Sequence, residues 1–247
     1  MRCTIHNTHG HLVRDIDYLG YKFKLNIYDY AEHIYVPRET WCPADDIISE
    51  QIDQKGHWEE YETALISDIL KQPRRYNRVY DFGSQIGWYS MLALLSGYNV
   101  HSFEADEESA SLLLDSVHMN GTYNIEVQTG IIDKESKVRR ADKIHLLKCD
   151  IEGEEPEAFR IMKDSFLKGD VDYAVFEISP VFHDRYPALI KNIKDCGYRA
   201  YVIPNAADNN AVAFLADPLN EIQKQPEVDQ SEVNSWHQRN VLFVRNK

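Results

Sequence analysis

Hydrophobic residues recur along this chain with two periods, and the change from one to the other organises it. Within His11 to Tyr30, the residues Tyr21, Phe23, Leu25 and Ile27 alternate with polar neighbours. That is the period of a half-buried strand, and Gly20 marks a turn before it. From Pro43 the spacing becomes helical: Asp45 or Asp46 can cap a short helix carrying Ile47, Ile48 and Ile52, which Gly56 closes. A second helix sets Trp58, Tyr61, Leu65 and Ile69 on one face and stops at Pro73.

Beyond Arg78 short apolar strands alternate with helices, the order that builds a mostly parallel sheet. Strands are predicted at Val79 to Phe82, Asn99 to Phe103, Ile125 to Ile131, Ile144 to Cys149 and Asp172 to Ile178, and later at Arg199 to Ile203 and Asn240 to Arg245. Helices are predicted at Ile86 to Leu95, Glu107 to Met119, Pro156 to Phe166 and Pro187 to Cys196. The polar stretch from Asp208 to Gln238 yields no element, and there is no internal repeat.

A chain of 247 residues can bury one good core, so a single α/β domain with a modest extension is expected. Hydrophobic residues at 43% and charged residues at 27% describe an ordinary folded protein. The formal charge of −13 repels phosphate backbones, which disfavours long nucleic acids as partners. The basic clusters Lys71 to Arg78 and Lys134 to Arg140 sit beside predicted turns and read as solvated surface. Cys3, Cys42, Cys149 and Cys196 lack the paired spacing of zinc sites or disulfide scaffolds. With a polar N-terminus and no apolar run near the roughly 20 residues that span a bilayer, a reduced cytoplasmic protein is expected.

Four places carry candidate chemistry. In Val79-Tyr80-Asp81-Phe82-Gly83-Ser84-Gln85-Ile86-Gly87-Trp88, a buried strand runs through a glycine turn into a helix. Such a turn lets a ligand approach the backbone and offers it free N–H groups, although glycines serve plain turns equally well. The spacing is Gly-x-x-x-Gly rather than that of the dinucleotide fingerprint. The next strand ends in Glu104, which can accept bonds from both hydroxyls of a ribose or else be a solvated strand end. The strand Ile144 to Cys149 delivers Lys148, Asp150, Glu152 and Glu154 to the sheet edge where α/β proteins bind ligands, with Lys148 and Asp150 pointing the same way. The strand up to Ile178 carries Glu177, which either pairs with a cation such as Lys148 or faces the cleft, and His183 follows as a candidate base.

Taken together these motifs resemble the FkbM-type methyltransferases, a branch of the class I S-adenosylmethionine-dependent enzymes. The loop Asp81 to Ser90 is similar to the family's Asp-x-Gly-Ala-Asn-Ile-Gly-x-x-Ser, and Phe103-Glu104 to its Phe-Glu-Pro strand end. Leu147-Lys148-Cys149-Asp150-Ile151-Glu152-Gly153 is similar to its Leu-Lys-x-Asp-x-Glu-Gly run, and Val175-Phe176-Glu177-Ile178 to its next strand. Gly56-His57-Trp58-Glu59 resembles its approach to the loop. The departures are Ser84-Gln85 in place of Ala-Asn, a short link between Ile131 and Ile144, and an N-terminal stretch of about 40 residues with no counterpart.

The resemblance implies a Rossmann-like α/β sandwich, with a mostly parallel seven-stranded sheet, an antiparallel last strand and helices on both faces. It implies S-adenosyl-L-methionine as cofactor, held by Asp81, Gly83, Ser84, Gln85, Gly87, Trp88, Glu104, Ala105 and Asp150, with Ile132 and Asp133 near the adenine. Residues 73–247 form the methyltransferase domain in this reading, and 1–72 an extension that can cover the acceptor site, whose rim includes Trp58, Glu152 and Glu154. The implied reaction is O-methylation of a sugar or other small hydroxylated metabolite, with Asp150, Glu177 or His183 as base and Lys148 orienting the acceptor or pairing with a carboxylate. No metal is expected, because two carboxylates on adjacent turns are insufficient to imply one. Three rival classes share the core: a nucleic-acid 2'-O-methyltransferase, a nicotinamide-dependent oxidoreductase, and an inactive cofactor-binding module.

Overall fold

The computed structural model describes residues 10–29, 47–130, 132, 143–178, 185–205, 211–229, 233, 236 and 238–246. Strands β1 (His11–Tyr18) and β2 (Tyr21–Tyr28) form an antiparallel hairpin. Leu19 and Gly20 both take positive φ, 51° and 87°, giving the two-residue turn whose twist matches that of the strands it joins. The alternation on β2 holds: Tyr21, Phe23, Leu25 and Ile27 are buried while Lys22 and Lys24 face solvent. β1 was not anticipated, since Ile16 is its one buried residue and no apolar alternation marks it. The hairpin lies on the helical layer, where Asn26 N donates to Ser116 Oγ at 2.9 Å.

Helices α1 (Ile47–Lys55) and α2 (Glu60–Lys71) follow, the second leaving Trp58 just outside its first turn. The β/α alternation then runs β3 (Arg78–Phe82), α3 (Trp88–Leu95), β4 (Asn99–Glu104), α4 (Glu107–Asn120), β5 (Ile125–Thr129), β6 (Ile144–Cys149), α5 (Glu155–Leu167), β7 (Val171–Ile178), α6 (Tyr186–Asp195) and β8 (Tyr198–Val202). These bounds depart from expectation by a residue or two, as helix and strand ends do. Asp106 caps α4 by accepting from Ser109 N at 2.7 Å, and Gly121 ends it in the left-handed conformation. The unread polar stretch contains α7 (Ala211–Ala216) and α8 (Pro218–Gln223), too short to show a period. Tertiary contact holds α8: Leu219 N donates to Asp68 Oδ2 of α2 at 3.0 Å.

The sheet has seven strands in the order β5-β4-β3-β6-β7-β9-β8. β9 (Arg239–Arg245) inserts antiparallel between β7 and β8, and the other pairings are parallel. Alternate strand residues face opposite layers. Val79, Val100, Leu146 and Val175 pack with β2 and α1 to α4, whereas Tyr80, Phe82, Leu147 and Phe176 pack with α5 and α6. No described helix is long and apolar enough to cross a membrane.

Candidate active site

From β3 the chain steps to β4 and β5 on one side and then to β6 and β7 on the other. The reversal opens a crevice at the C-terminal ends of β3 and β6, the place where open α/β sheets bind ligands. Gly83 N and Ser84 N both donate to Phe103 O, at 2.8 and 3.1 Å, and Asp150 N donates to Phe82 O at 2.9 Å, so three strand ends are tied together.

The two loop glycines answer first to packing. A Cβ on Gly83, whose φ is +78°, would sit 1.7 Å from Asp150 O, and one on Gly87, at φ +91°, would sit 2.3 Å from Leu113 Cδ1. The neighbours that demand glycine are therefore protein atoms, a constraint that the local spacing did not reveal. Between them Gln85 takes φ 48°, a region that favours Gly and Asn. Gln85 Oε1 accepts from Ile86 N at 2.6 Å, and Gln85 N donates to Glu104 Oε2 at 2.7 Å. Replacement of Gln85 by Asn is expected to raise stability by up to about 1 kcal/mol through relief of left-handed strain, seen as a higher midpoint in thermal unfolding.

Asp81 is 1% exposed and its Oδ2 accepts from Ser90 Oγ at 2.6 Å. Its Oδ1 and the Oγ of buried Ser84 have no hydrogen-bond partner among the described residues. Buried polar atoms left unpaired cost about 1–3 kcal/mol each, which marks this end of β3 as a place for a polar ligand. Burial pushes the Asp81 carboxyl up to about 6. Glu104 Oε1 also accepts from Asp106 N at 2.9 Å, so its carboxylate stands at the mouth of the loop and is raised by burial.

Beside this crevice lies a buried ionic cluster. Lys148, 2% exposed at the end of β6, places Nζ 3.1 Å from Asp150 Oδ2 and 3.3 Å from Glu62 Oε1, with the Tyr89 ring centroid at 5.4 Å. Tyr89 OH donates to Glu59 Oε2 at 2.8 Å, and Asn240 Nδ2 of β9 reaches Glu59 Oε1 at 3.5 Å. Glu177 of β7, 3% exposed, hydrogen-bonds Asp150. One ammonium cannot balance this many carboxylates in so little water, so they divide. Burial would raise Asp150, but Lys148 and the Glu177 hydrogen bond bring it below its usual range. Burial and the neighbouring Asp150 charge push Glu177 up to about 11, and burial and Glu59 push Glu62 up to about 8. Burial alone would lower Lys148, yet the surrounding carboxylates hold it well above its ordinary value. At neutral pH the arrangement is thus Lys148 charged, Asp150 ionised and Glu177 proton-bearing.

The structure brings Lys148, Asp150 and Glu177 together: Glu177 meets Asp150, which Lys148 contacts at 3.1 Å. Single ligand oxygens of Asp150, Glu152 and Glu177 lie within 4.8 Å of one another. Lys148 and the Glu177 proton already supply counter-charge there. Glu152 is exposed with φ 54°, while exposed Glu154 points to Arg185 at 4.0 Å. Its neighbour Glu155, not singled out in the sequence, is buried and holds the turn by accepting from Ile151 N at 2.9 Å and Tyr186 OH at 2.8 Å.

The Trp88 side chain belongs to the core. It packs with Phe23, and its Nε1 donates to Thr63 Oγ1 at 2.9 Å, so only its backbone can border the crevice. Ala105 is exposed after β4 and Ile132 is buried with Phe82 and Phe103. Trp58 is partly buried against α2, its carbonyl accepting from Thr63 Oγ1 at 2.6 Å. Asp133 and His183 lie outside the described residues. Glu62 was missed altogether, and no local pattern could have found it beyond an acidic residue on the helix face that also carries Leu65 and Ile69.

Residues 84–200 match the family model described as the methyltransferase FkbM domain. No curated protein matches the chain in sequence. Among solved structures it is similar to a ribosomal protein L11 methylase from Lactobacillus delbrueckii subsp. bulgaricus, at 13% identity and TM-score 0.50, covering 77% of this chain and 81% of that one. It is also similar to a precorrin-6y C5,15-methyltransferase from Geobacter metallireducens GS-15, at 9% identity and TM-score 0.49, covering 75% and 88%. At 13% identity the likeness to the first of these is one of fold.

Proposed function

Residues 84–200 carry an FkbM methyltransferase domain, and from that premise we propose that the chain methylates a hydroxyl oxygen of a sugar or other small hydroxylated metabolite. The observation that carries this reading is Asp150, a carboxylate kept ionised by Lys148 beside the crevice, where it can take a proton. An alcohol oxygen is a poor nucleophile until its proton is removed, whereas an amine nitrogen attacks once neutral.

The residues at the crevice suit the cofactor. The partnerless Oδ1 of Asp81 and Oγ of Ser84 would receive its ammonium and carboxylate end. Glu104 would exchange its bond to Gln85 N for the ribose hydroxyls, with Ala105, Ile132 and Asp133 toward the adenine. Gly83, Gln85, Gly87 and Trp88 contribute backbone. Bound S-adenosylmethionine supplies a methyl group made electrophilic by its sulfonium. Asp150 accepts the acceptor's hydroxyl proton. Lys148 holds Asp150 in place and ionised, and Glu177, which keeps its own proton, orients the Asp150 carboxylate and is not the base. His183 stands as the alternative base.

Glu152 and Glu154 form the acceptor rim with Trp58, and their carboxylates suit the many hydrogen-bond donors of a polyol. The stretch 1–72 contributes α2 as a wall of this site, and 73–247 is the catalytic domain. The overall negative charge supports a small acceptor over a nucleic acid, and the buried free Cys149 suits a cytoplasmic setting.

Calorimetric titration with S-adenosylmethionine, its demethylated product and NAD should show binding of the first two and none of NAD. A panel of neutral sugars, amines and short RNAs, followed by mass spectrometry, should then yield a methyl ether on a sugar-type hydroxyl. Methylation confined to nitrogen or to RNA would overturn the O-methylation reading.

A further inference from the structure

We propose that Glu62 is a positioning residue for methyl transfer: by sharing the Lys148 ammonium with Asp150, it sets where that ammonium sits and how firmly it holds the Asp150 charge. The inference rests on Asp150 being the base, as proposed above. Glu62 lies outside the residues that match the FkbM domain, in the N-terminal stretch.

A glutamate here has a cost that an apolar residue would avoid. Its neighbours Thr63, Ala64, Leu65 and Ile66 are all buried, and Glu62 itself is 2% exposed. Leucine or methionine would occupy such a site without desolvating a carboxylate, a penalty of several kcal/mol. Neither Glu62 oxygen has a hydrogen-bond partner among the described residues, and the contact that answers its charge is Lys148 Nζ at 3.3 Å. The helix is also fixed in place. Trp88 Nε1 donates to Thr63 Oγ1 at 2.9 Å and Tyr89 OH to Glu59 Oε2 at 2.8 Å, so α2 is bonded to the helix that leaves the cofactor loop. Glu62 therefore keeps a set place relative to both the cofactor crevice and Lys148.

The groups that act on Glu62 are Glu59 just before its own helix, Tyr89 of α3, Lys148 of β6 and Asp150 just after that strand, with Glu177 of β7 acting through Asp150. Burial first, and then Glu59, raise Glu62 to about 8, so it sheds its proton just above neutrality. Once ionised it draws on the same ammonium as Asp150 and adds a like charge to the cluster. Asp150 then releases less of its negative charge to Lys148 and becomes the stronger base.

The test follows the ¹³C carboxyl signal of Asp150 by NMR, assigned by its loss in Asp150→Asn, in protein saturated with S-adenosylhomocysteine. The wild-type signal should show an inflection centred near pH 8, where Glu62 ionises. Glu62→Gln should abolish it, and Glu62→Asp, which keeps the charge but shortens the reach, should move it. In turnover with a hydroxylated acceptor from the panel, the deficit of Glu62→Gln should widen with pH, to about tenfold above the inflection. A wild-type signal with no inflection overturns the proposal even if the Gln variant does not fold. So does a Gln variant whose titration and pH–rate profile keep the wild-type shape at lower amplitude, the signature of a merely structural residue. If the inflection is present but Asp150→Asn turns over normally, the base assignment fails while the coupling between the two carboxylates stands.

Discussion

Replacement of Asp150 by Asn is expected to lower kcat by a hundredfold or more, on the order of what a positioned general base contributes, while S-adenosylmethionine affinity changes little. The amide is nearly the same size, and its carbonyl can still accept from Lys148, which approaches the native Oδ2 at 3.1 Å. The geometry thus survives while the proton acceptor is lost. Steady-state rates alongside calorimetric affinity check both halves of the prediction. Near-native turnover with intact cofactor binding would remove Asp150 from the role of base and leave His183 to fill it. Glu177→Gln should be far milder, because Glu177 already carries its proton at neutral pH and a Gln amide can donate to Asp150 in its place.

The largest effect on stability is expected from Gly83→Ala. The added methyl would meet a backbone carbonyl, that of Asp150, at 1.7 Å, and the φ of +78° strains any L side chain. A flexible side chain could move aside, but Asp150 O belongs to the turn that ends β6, whose Asp150 N is bonded to Phe82 O at 2.9 Å. Overpacking of about 1–3 kcal/mol and left-handed strain of about 1–2 kcal/mol therefore add, for a loss of about 3 kcal/mol or more. Chemical denaturation would register this as a lower midpoint with an unchanged slope, and any folded fraction should bind cofactor weakly because Asp81, Gly83 and Asp150 shift together. A variant of native stability would mean that the strand ends are not packed as closely as described.

Much of the architecture was written in local pattern. The Val79 to Ile178 stretch spells strands and helices in periods of two and of three to four, so β3, β4, β6 and β7 and the helices between them were legible within a residue or two. The strand ends were legible for the same reason: the positions after Phe82, Phe103 and Cys149, and the end of β7, fall at one sheet edge once the strands are parallel and in register, and Asp81 pairs with Lys148 across that register. Short elements without a period were not legible. β1 fully buries one residue, Ile16, and α7 and α8 are held by contacts with α2 rather than by their own amphipathicity.

What local pattern could not reach were relations between residues far apart in the chain. Glu62 and Lys148 meet because α2 packs on the sheet, and Trp88 turns from loop to core because Thr63 and Phe23 lie in its path. Gly83 is forced by a carbonyl of the turn after β6, and the proton on Glu177 by burial and the neighbouring Asp150 charge. Periodicity records which face of an element is buried. Desolvation, close approach and shared charge depend on what the other faces bring, and these come into being only when the chain folds.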